Sequence, residues 1–172
     1  VELKRLQKKL GITTLFVTHD QEECFSSSDK VAVMNNGMIE QYDSPENIYT
    51  RPATEFVARF IGFENFLELE RSGDHEYRAR DNSRFQVDME GDGPDFAGTI
   101  RPDDIRLAEP GQQENVLTGT VGVRTFLGKS YQYEVNTASG ILKVNMDTSH
   151  VFRHGEDLEQ YVPQYQLVLV GR

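Results

Sequence analysis

The sequence predicts an α+β protein in which an α/β segment precedes an all-β domain. Three observations support this prediction. An apolar run at 13–17 lies between two helix-like segments, a hairpin signal follows it, and short alternating runs broken by Gly, Asp, Asn and Pro begin near residue 65. The chain has 172 residues, which is long enough for two domains with real cores. We place the boundary between residues 62 and 63.

Composition narrows the classes of function. The chain is 37% hydrophobic and 27% charged, with a net charge of −10, which is typical of a globular protein. An acidic chain is a poor partner for nucleic acid, because phosphate binding needs clustered Lys and Arg. The one cysteine, Cys24, excludes an internal disulfide and a Cys-built metal site, and it indicates a reducing compartment. We expect Cys24 to be a small packing residue.

The first segment alternates helices and strands. Leucines at positions 3, 6 and 10 share one helical face, and Gly11 ends the helix. The run 13–17 has no polar alternation, which predicts a strand buried on both faces of a parallel sheet. Asp20 stands three residues before Glu23, a capping-box spacing that predicts the start of a helix over about 21–27.

A hairpin and two short helices complete this segment. The turn Asn36-Gly37 separates predicted strands at 31–34 and 38–42, because both residue types tolerate positive φ. Ser44 and Pro45 predict a helix start, and a second helix with an apolar face reaches Gly62.

The rest of the chain predicts a small antiparallel barrel or sandwich. A loop is expected at 91–94 and another at about 108–115. The candidate strands are 66–70, 76–80, 85–87, 96–100, 105–107, 116–126, 129–136, 141–146 and 166–170.

His19 is the leading candidate for a catalytic or ligand-binding residue. It follows the apolar run, and ligands collect at the carboxyl ends of parallel strands. An imidazole there can hydrogen-bond a phosphate oxygen or a water, although His19 could equally serve only to join strand to helix. Asp20, Glu22 and Glu23 fit helix capping and the positive end of the helix dipole better than a general-base cluster.

Other polar and aromatic residues have structural interpretations. The remaining histidines lack metal-like spacing, so no metal site is expected. Four charged residues of alternating sign predict an ion-pair lattice in the barrel, and the alternative is a regulatory contact with a partner subunit's barrel. They are Arg101, Asp103, Asp104 and Arg106. The aromatic residues Phe126, Tyr131, Tyr133 and Phe152 fit barrel core or surface positions.

Several segments resemble one family. Residues 14–23, TLFVTHDQEE, resemble the switch-histidine segment of ATP-binding cassette (ABC) importer ATPases, and 29–41 resemble the hairpin after it. Residues 44–52 and 56–62 resemble the helices that lead into the extra C-terminal domain of such ATPases. Residues 100–107, IRPDDIRL, and 116–135 resemble the OB-like regulatory (TOBE) barrel of maltose, polyamine and ferric-iron importers.

The resemblance implies a specific architecture. Residues 1–62 would be the C-terminal remnant of an α/β P-loop ATPase domain, and 63–172 an OB-like TOBE domain for regulation and dimerisation. His19 would contact the γ-phosphate and help to place the attacking water, and Asp20 could lie near the nucleotide. This agrees with phosphoryl transfer, in which positioning and charge stabilisation do most of the work.

The resemblance also implies what the chain lacks. No G-x-x-x-x-G-K-S/T loop, acidic Walker B strand or cassette signature is present in the sequence. We therefore expect a C-terminal fragment of an ATPase that uses ATP and Mg2+ when complete. Alone, this fragment should neither bind ATP tightly nor hydrolyse it, and no cofactor is expected in it.

The implied partners are those of an importer at the cytoplasmic face of the cell membrane. They are transmembrane permease subunits, a second copy of the ATPase through both domains, and indirectly an extracellular or periplasmic solute-binding protein. The resemblance points to a polyamine or ferric iron as the solute. The alternative is a barrel that senses a small ligand or a regulatory protein, without catalysis in this fragment. Nucleic acid is not an expected partner.

Overall fold

The computed structural model describes residues 2–88 and 96–171. The predicted loop at 91–94 therefore lies outside the described residues. The chain divides into two compact units, Val1–Ile61 and Gly62–Arg172. Among the described residues, no helix has the length and apolar character needed to cross a membrane.

The first unit combines short helices with one hairpin. Strands β1 (Val31–Asn35) and β2 (Met38–Asp43) pair antiparallel, and Asn36 and Gly37 between them both have positive φ, as the sequence predicts. Its helices are α1 (Glu2–Leu10), α2 (Gln21–Ser27), α3 (Pro45–Thr50) and α4 (Glu55–Phe60).

A small core forms on one side of this hairpin. Val31 and Val33 of β1 are buried, as are Ile48 of α3 and Val57 of α4. Capping sets where the two helices begin, because the Ser44 hydroxyl accepts from the Asn47 N–H at 3.2 Å and Thr54 caps α4 in the same way.

The predicted strand at 13–17 is wrong. These residues form no strand, and the side chains of Leu15 and Val17 are 93% and 96% exposed. A strand buried on both faces needs paired neighbours and covering layers, and in the described part of the chain no strand pairs with this segment. A parallel α/β sheet is therefore not visible in the first unit.

The second unit consists of strands in three sheets. One sheet has the strand order β11-β10-β9-β12-β8, a second β13-β7-β3, and a third β4-β5-β6. All pairs are antiparallel. The strands are β3 (Asn65–Leu67), β4 (Leu69–Arg71), β5 (Glu76–Ala79), β6 (Arg84–Gln86), β7 (Phe96–Ile100), β8 (Arg106–Leu107), β9 (Val116–Phe126), β10 (Ser130–Thr137), β11 (Gly140–Asp147), β12 (Asp157–Tyr161) and β13 (Val168–Gly171).

The three sheets surround one apolar core, which gives a mostly β, OB-like barrel. The core draws side chains from every sheet, including Tyr77, Tyr133, Ile100 and Leu117, each fully buried. A single 3-10 turn, Pro102–Asp104, connects β7 to β8 among the described residues.

Two side-chain amides join sheets that share no backbone pairing. Asn65 of β3 binds the backbone of Lys143 in β11, and Asn115 binds Gln86 of β6 and Val162 just after β12. Both asparagines are buried, so these bonds satisfy backbone groups that would otherwise have no hydrogen-bond partner.

Most strands of the second unit were predicted within one or two residues, with two exceptions. The predicted strand 66–70 is two strands, β3 and β4, and β12 was missed. In β12, Leu158 and the polar Gln160 are the buried side chains, so the strand lacks a clean apolar alternation.

Candidate functional site

A broad groove lies within the first unit. It has a volume of about 960 Å³ and is lined by the segment 12–21, parts of α1 and α2, and the open face of β1 and β2. Apolar side chains dominate the segment, including the exposed Ile12, Leu15 and Val17. His19 and Asp20 lie on the wall of this groove.

His19 stands at a bend directly before α2, and its side chain is exposed. None of the hydrogen bonds between described residues involves its ring, and the residue lines the groove. An imidazole so placed can donate or accept one hydrogen bond at each ring nitrogen, according to its tautomer.

The residues beside His19 hold this bend in place. The Asp20 carboxylate accepts the Glu23 N–H at 2.9 Å, so Asp20 caps α2 as the sequence predicts. The Thr18 hydroxyl accepts the Asp20 N–H at 3.0 Å and donates to the Glu23 carboxylate at 3.0 Å. In a capping box the glutamate returns to the cap's own N–H. Here Thr18 stands between the two groups.

Cys24 lies on α2 half-buried and lines the groove. Gln21 of the same helix donates from its side-chain amide to the backbone carbonyl of Phe60. Lys4 of α1 pairs with Asp29 at 3.3 Å, just beyond the end of α2. These contacts tie the walls of the groove to each other.

The charged residues of the 101–106 segment are only partly brought together. The Arg101 guanidinium lies 4.0 Å above the Phe63 ring and 4.0 Å from the Asp104 carboxylate. Burial raises the pKa of Asp104, while the charge of Arg101 opposes that change. Asp103 and Arg106 are exposed, and no ion pair between described residues includes either of them. The predicted lattice is therefore one pair, Arg101–Asp104.

No group of three or more His, Cys, Asp or Glu side chains within the described ranges is arranged to hold a metal. His75 and His154 hydrogen-bond backbone carbonyls through Nδ1, at 3.0 Å to Val87 and 2.9 Å to Gly122.

The four aromatic residues named from the sequence form a row of rings on the second unit, an arrangement that the sequence did not predict. Phe126 packs on Tyr131 with ring centroids 5.2 Å apart, Tyr131 lies 6.2 Å from Tyr133, and Tyr133 lies 5.7 Å from Phe152. The Arg124 guanidinium lies 5.1 Å from the Tyr131 ring centroid. The spacing of these residues around Gly128 was visible, but the bulge that puts Arg124 and Phe126 on this face was not.

Residues 98–169 match the model of the TOBE domain family. Several curated proteins are also similar, and each is named as a spermidine/putrescine import ATP-binding protein PotA. The protein from Aster yellows witches'-broom phytoplasma is 42% identical over 154 residues, covering 87% of this chain and 36% of that protein. The Acetivibrio thermocellus protein is 45% identical over 143 residues, covering 79% and 38%. The Thermobifida fusca protein is 36% identical over 191 residues, covering 99% and 48%. The chain thus spans less than half the length of these relatives.

A solved structure shares the fold of the barrel. The cytoplasmic molybdate-binding protein ModG, with molybdate bound, superimposes with a TM-score of 0.50 at 10% sequence identity. The match covers 62% of this chain and 94% of that chain. At this identity the likeness concerns fold alone.

Proposed function

The chain has the TOBE domain and the sequence similarity of the C-terminal region of an ABC importer's ATP-binding subunit, and we propose that it acts within a complete subunit that hydrolyses ATP to drive solute uptake. The observation that carries this proposal is the similarity at 36–45% identity to importer subunits over most of the chain. From the names of those relatives, the proposed solute is a polyamine such as spermidine or putrescine.

The first unit is proposed to be the C-terminal part of the nucleotide-binding domain. Its groove supports this, because the apolar residues Leu15 and Val17 are almost fully exposed and the segment that carries them forms neither helix nor strand. Covering such a side chain stabilises a fold by about 1.5–3 kcal/mol. We propose that other parts of the subunit cover this face and complete a sheet around 13–17.

His19 is proposed as the catalytic residue that engages the γ-phosphate of ATP. Its exposed ring stands where a capped helix begins, and the Asp20 and Thr18 bonds fix the backbone that carries it. A hydrogen bond from the imidazole would orient the terminal phosphate and the attacking water, the kind of positioning on which phosphoryl transfer depends. Asp20 is proposed to lie near the nucleotide while it caps α2.

The chain supplies few groups of its own to ATP and Mg2+. The described residues contain no carboxylate and histidine cluster suited to a metal. Magnesium would neutralise charge on the phosphates when bound, through residues elsewhere in the subunit. We therefore propose that this chain in isolation neither binds ATP tightly nor hydrolyses it.

The partners are proposed to be transmembrane permease subunits, at the cytoplasmic face of the cell membrane, and a second ATP-binding subunit. A solute-binding protein outside the cytoplasm would act indirectly. The second unit is proposed as a regulatory barrel that contributes to dimerisation. Asp103 and Arg106 suit such a contact because both are exposed, whereas Arg101 and Asp104 already pair with each other.

The test is uptake by the complete importer reconstituted in proteoliposomes, with spermidine as solute and ATP inside. His19→Ala should abolish most ATP turnover and uptake while ATP binding remains. His154→Ala, an exposed histidine in the second unit, is the matched control and should leave both unchanged. Unchanged ATP turnover in the His19 variant would refute the assigned role, and a complete subunit that neither binds ATP nor supports uptake would refute the proposed function.

A further inference from the structure

The hairpin formed by β9 and β10 extends beyond the pairing of β9 with its other neighbour. Strand β12 pairs with β9 from Val116 to Thr120, whereas β10 pairs with β9 as far as Phe126. After Val121, which still exchanges backbone bonds with Glu156 and Gly155, no described strand pairs with this side of β9. The His154 ring bonds the Gly122 carbonyl at 2.9 Å, and from Val123 onward β10 is the one strand paired with β9 among the described residues.

A bulge turns the extended part of β9. Glu134 of β10 stands opposite both Gly122 and Val123, because Tyr133 pairs with Arg124 and Val135 with Val121. Position 122 is crowded, since a Cβ there would lie 2.9 Å from the Asn136 amide nitrogen and 3.3 Å from the Glu134 carbonyl oxygen. The bulge therefore puts Arg124 and Phe126 on the same face as the ring row.

The open edge of this segment carries backbone donors and acceptors. The Leu127 N–H donates to the Ser130 carbonyl at 2.9 Å, which makes these two residues a hydrogen-bonded pair. Pairs alternate along an antiparallel ladder, so the N–H and C=O groups of Arg124 and Phe126 point away from β10. Such an edge is a template for an added strand.

The side chains next to this edge are apolar and cationic. Val123, Phe126 and Leu127 are 55%, 60% and 51% exposed, and the rings behind Phe126 are continuous with the core. In the part of the chain that the structure describes, neither Arg124 nor Lys129 has a carboxylate partner. One carboxylate at this end, Asp147, accepts hydrogen bonds from Ser149.

We propose that the open edge of β9 at residues 123–126 binds an extended acidic segment of a partner protein as an added strand. Apolar side chains of that segment would pack on Phe126 and Tyr131, and its carboxylates would face Arg124 and Lys129. The backbone edge favours a polypeptide over a nucleic acid, because its N–H and C=O groups can pair with those of an added strand.

Charge distinguishes this partner from a second copy of the chain. Pairing two β9 edges antiparallel would bring two copies of Arg124 onto the same short pair of strands, and like charges opposite each other destabilise a sheet. An acidic strand would instead place its carboxylates beside Arg124, so that opposite charges face each other.

The test uses the 15N-labelled chain and two synthetic nine-residue peptides with blocked ends, one alternating Glu and Val and the other alternating Lys and Val. The Glu peptide should shift the amide resonances of residues 123–126 and Tyr131. The dissociation constant should rise several-fold between 50 and 500 mM salt, because exposed charges are screened. The Lys peptide should bind at least about tenfold more weakly, a difference of about 1.4 kcal/mol.

Arg124→Glu should weaken the Glu peptide at least about tenfold, with Arg124→Gln as the milder variant if the first fails to fold. Arg78→Glu, an equal charge change at an exposed position of β5, should not weaken it. Each of four results would overturn the proposal: no binding at millimolar peptide, equal binding of the two peptides, binding of oligothymidylate at the same residues, or self-association of the chain that Arg124→Glu abolishes.

Discussion

The side-chain amide of Asn65 replaces a missing strand partner for Lys143, 78 residues away. Its Nδ2 donates to the Lys143 carbonyl at 2.8 Å, and its Oδ1 accepts the Lys143 N–H at 2.7 Å. The Thr99 hydroxyl donates to the Asn65 carbonyl at 2.7 Å, and the Lys143 ammonium lies 2.7 Å from the Glu64 carboxylate. This cluster holds the edge of one sheet against the edge of another.

Asn65→Leu should lower the free energy of unfolding of the barrel by about 2–4 kcal/mol, because two backbone groups of Lys143 lose their partners. Urea unfolding followed by tyrosine fluorescence measures this, since the chain has seven Tyr and no Trp. Asn136→Ala, at an exposed amide, is the control and should change it by less than about 0.5 kcal/mol. Equal effects of the two variants would contradict the role of the Asn65 amide.

Asn115 combines a buried amide with a positive φ of 57°. Its side chain binds the N–H and C=O of Gln86 and the carbonyl of Val162, at 2.7–2.9 Å. Asn115→Gly keeps the backbone conformation and removes the amide, so it should destabilise by about 2–4 kcal/mol. Asn115→Ala adds backbone strain and should cost about 1 kcal/mol more. The same urea experiment decides, and a neutral glycine variant would show that the conformation alone matters.

Gly119 stands where β9 pairs with Thr137 of β10 and where a side chain would not fit. A Cβ at this position would lie 2.6 Å from the Asn136 carbonyl oxygen and 2.8 Å from side-chain atoms of Val135 and Thr137. Gly119→Ala should therefore destabilise by about 1–3 kcal/mol or prevent folding. Gly73→Ala meets only Glu76 at 3.4 Å and is the matched control. Thermal unfolding by circular dichroism should show a lower midpoint for the Gly119 variant alone.

Gln160 is fully buried, and its amide nitrogen and oxygen have no hydrogen-bond partner among the described residues. A buried amide without partners costs about 1–3 kcal/mol. Gln160→Met keeps nearly the same volume without the polar atoms, so it should raise the free energy of unfolding by about that amount. A loss of stability on this substitution would mean that the amide has a partner, such as a bound water.

Two carboxyl groups of the barrel should titrate on opposite sides of the ordinary value of 3.8. Burial raises the pKa of Asp104, and hydrogen bonds from the Ser149 side chain and N–H lower the pKa of Asp147. The stability from Asp147 is present above its unfolded pKa and is lost as pH falls through its depressed folded value. For Asp104 the sign is reversed, because the folded state keeps the proton longer.

The measurement for this pair is a carboxyl-carbon NMR titration. The midpoint of Asp104 should lie above 3.8 and that of Asp147 below it. Ser149→Ala should return Asp147 toward the ordinary value and leave Asp104 unchanged. Coincident midpoints in the unsubstituted chain would contradict both assignments.

Local sequence signals predicted local structure well. Asp20, Ser44 and the turn Asn36-Gly37 all act as their residue types predict, because caps and tight turns depend on a few neighbouring residues. The side-chain hydrogen bonds of Asn65 and Asn115 could not be predicted. Nothing in the sequence near either residue indicates a partner 78 or 47 positions away.

The error at 13–17 has a different cause. An apolar run indicates that a segment needs burial, but it does not indicate which strands or helices will cover that segment. The chemical role of His19 stays a prediction, because geometry gives its exposure and its supports but not its ligand. The ring row on the β9–β10 hairpin was hidden by the bulge at Gly122, which changes the face on which Arg124 and Phe126 lie.

The hydrogen bond between Asn115 and Val162 also limits how early the barrel can close during translation. Ribosomes add about 5–20 residues per second, so roughly 2–9 seconds separate the synthesis of the two residues. Once residue 137 has emerged, β9 and β10 can pair, yet the Asn115 amide beside β6 still lacks its bond to Val162. The nascent barrel therefore stays open on one side until its C-terminal strands emerge. During this time its exposed core can bind chaperones.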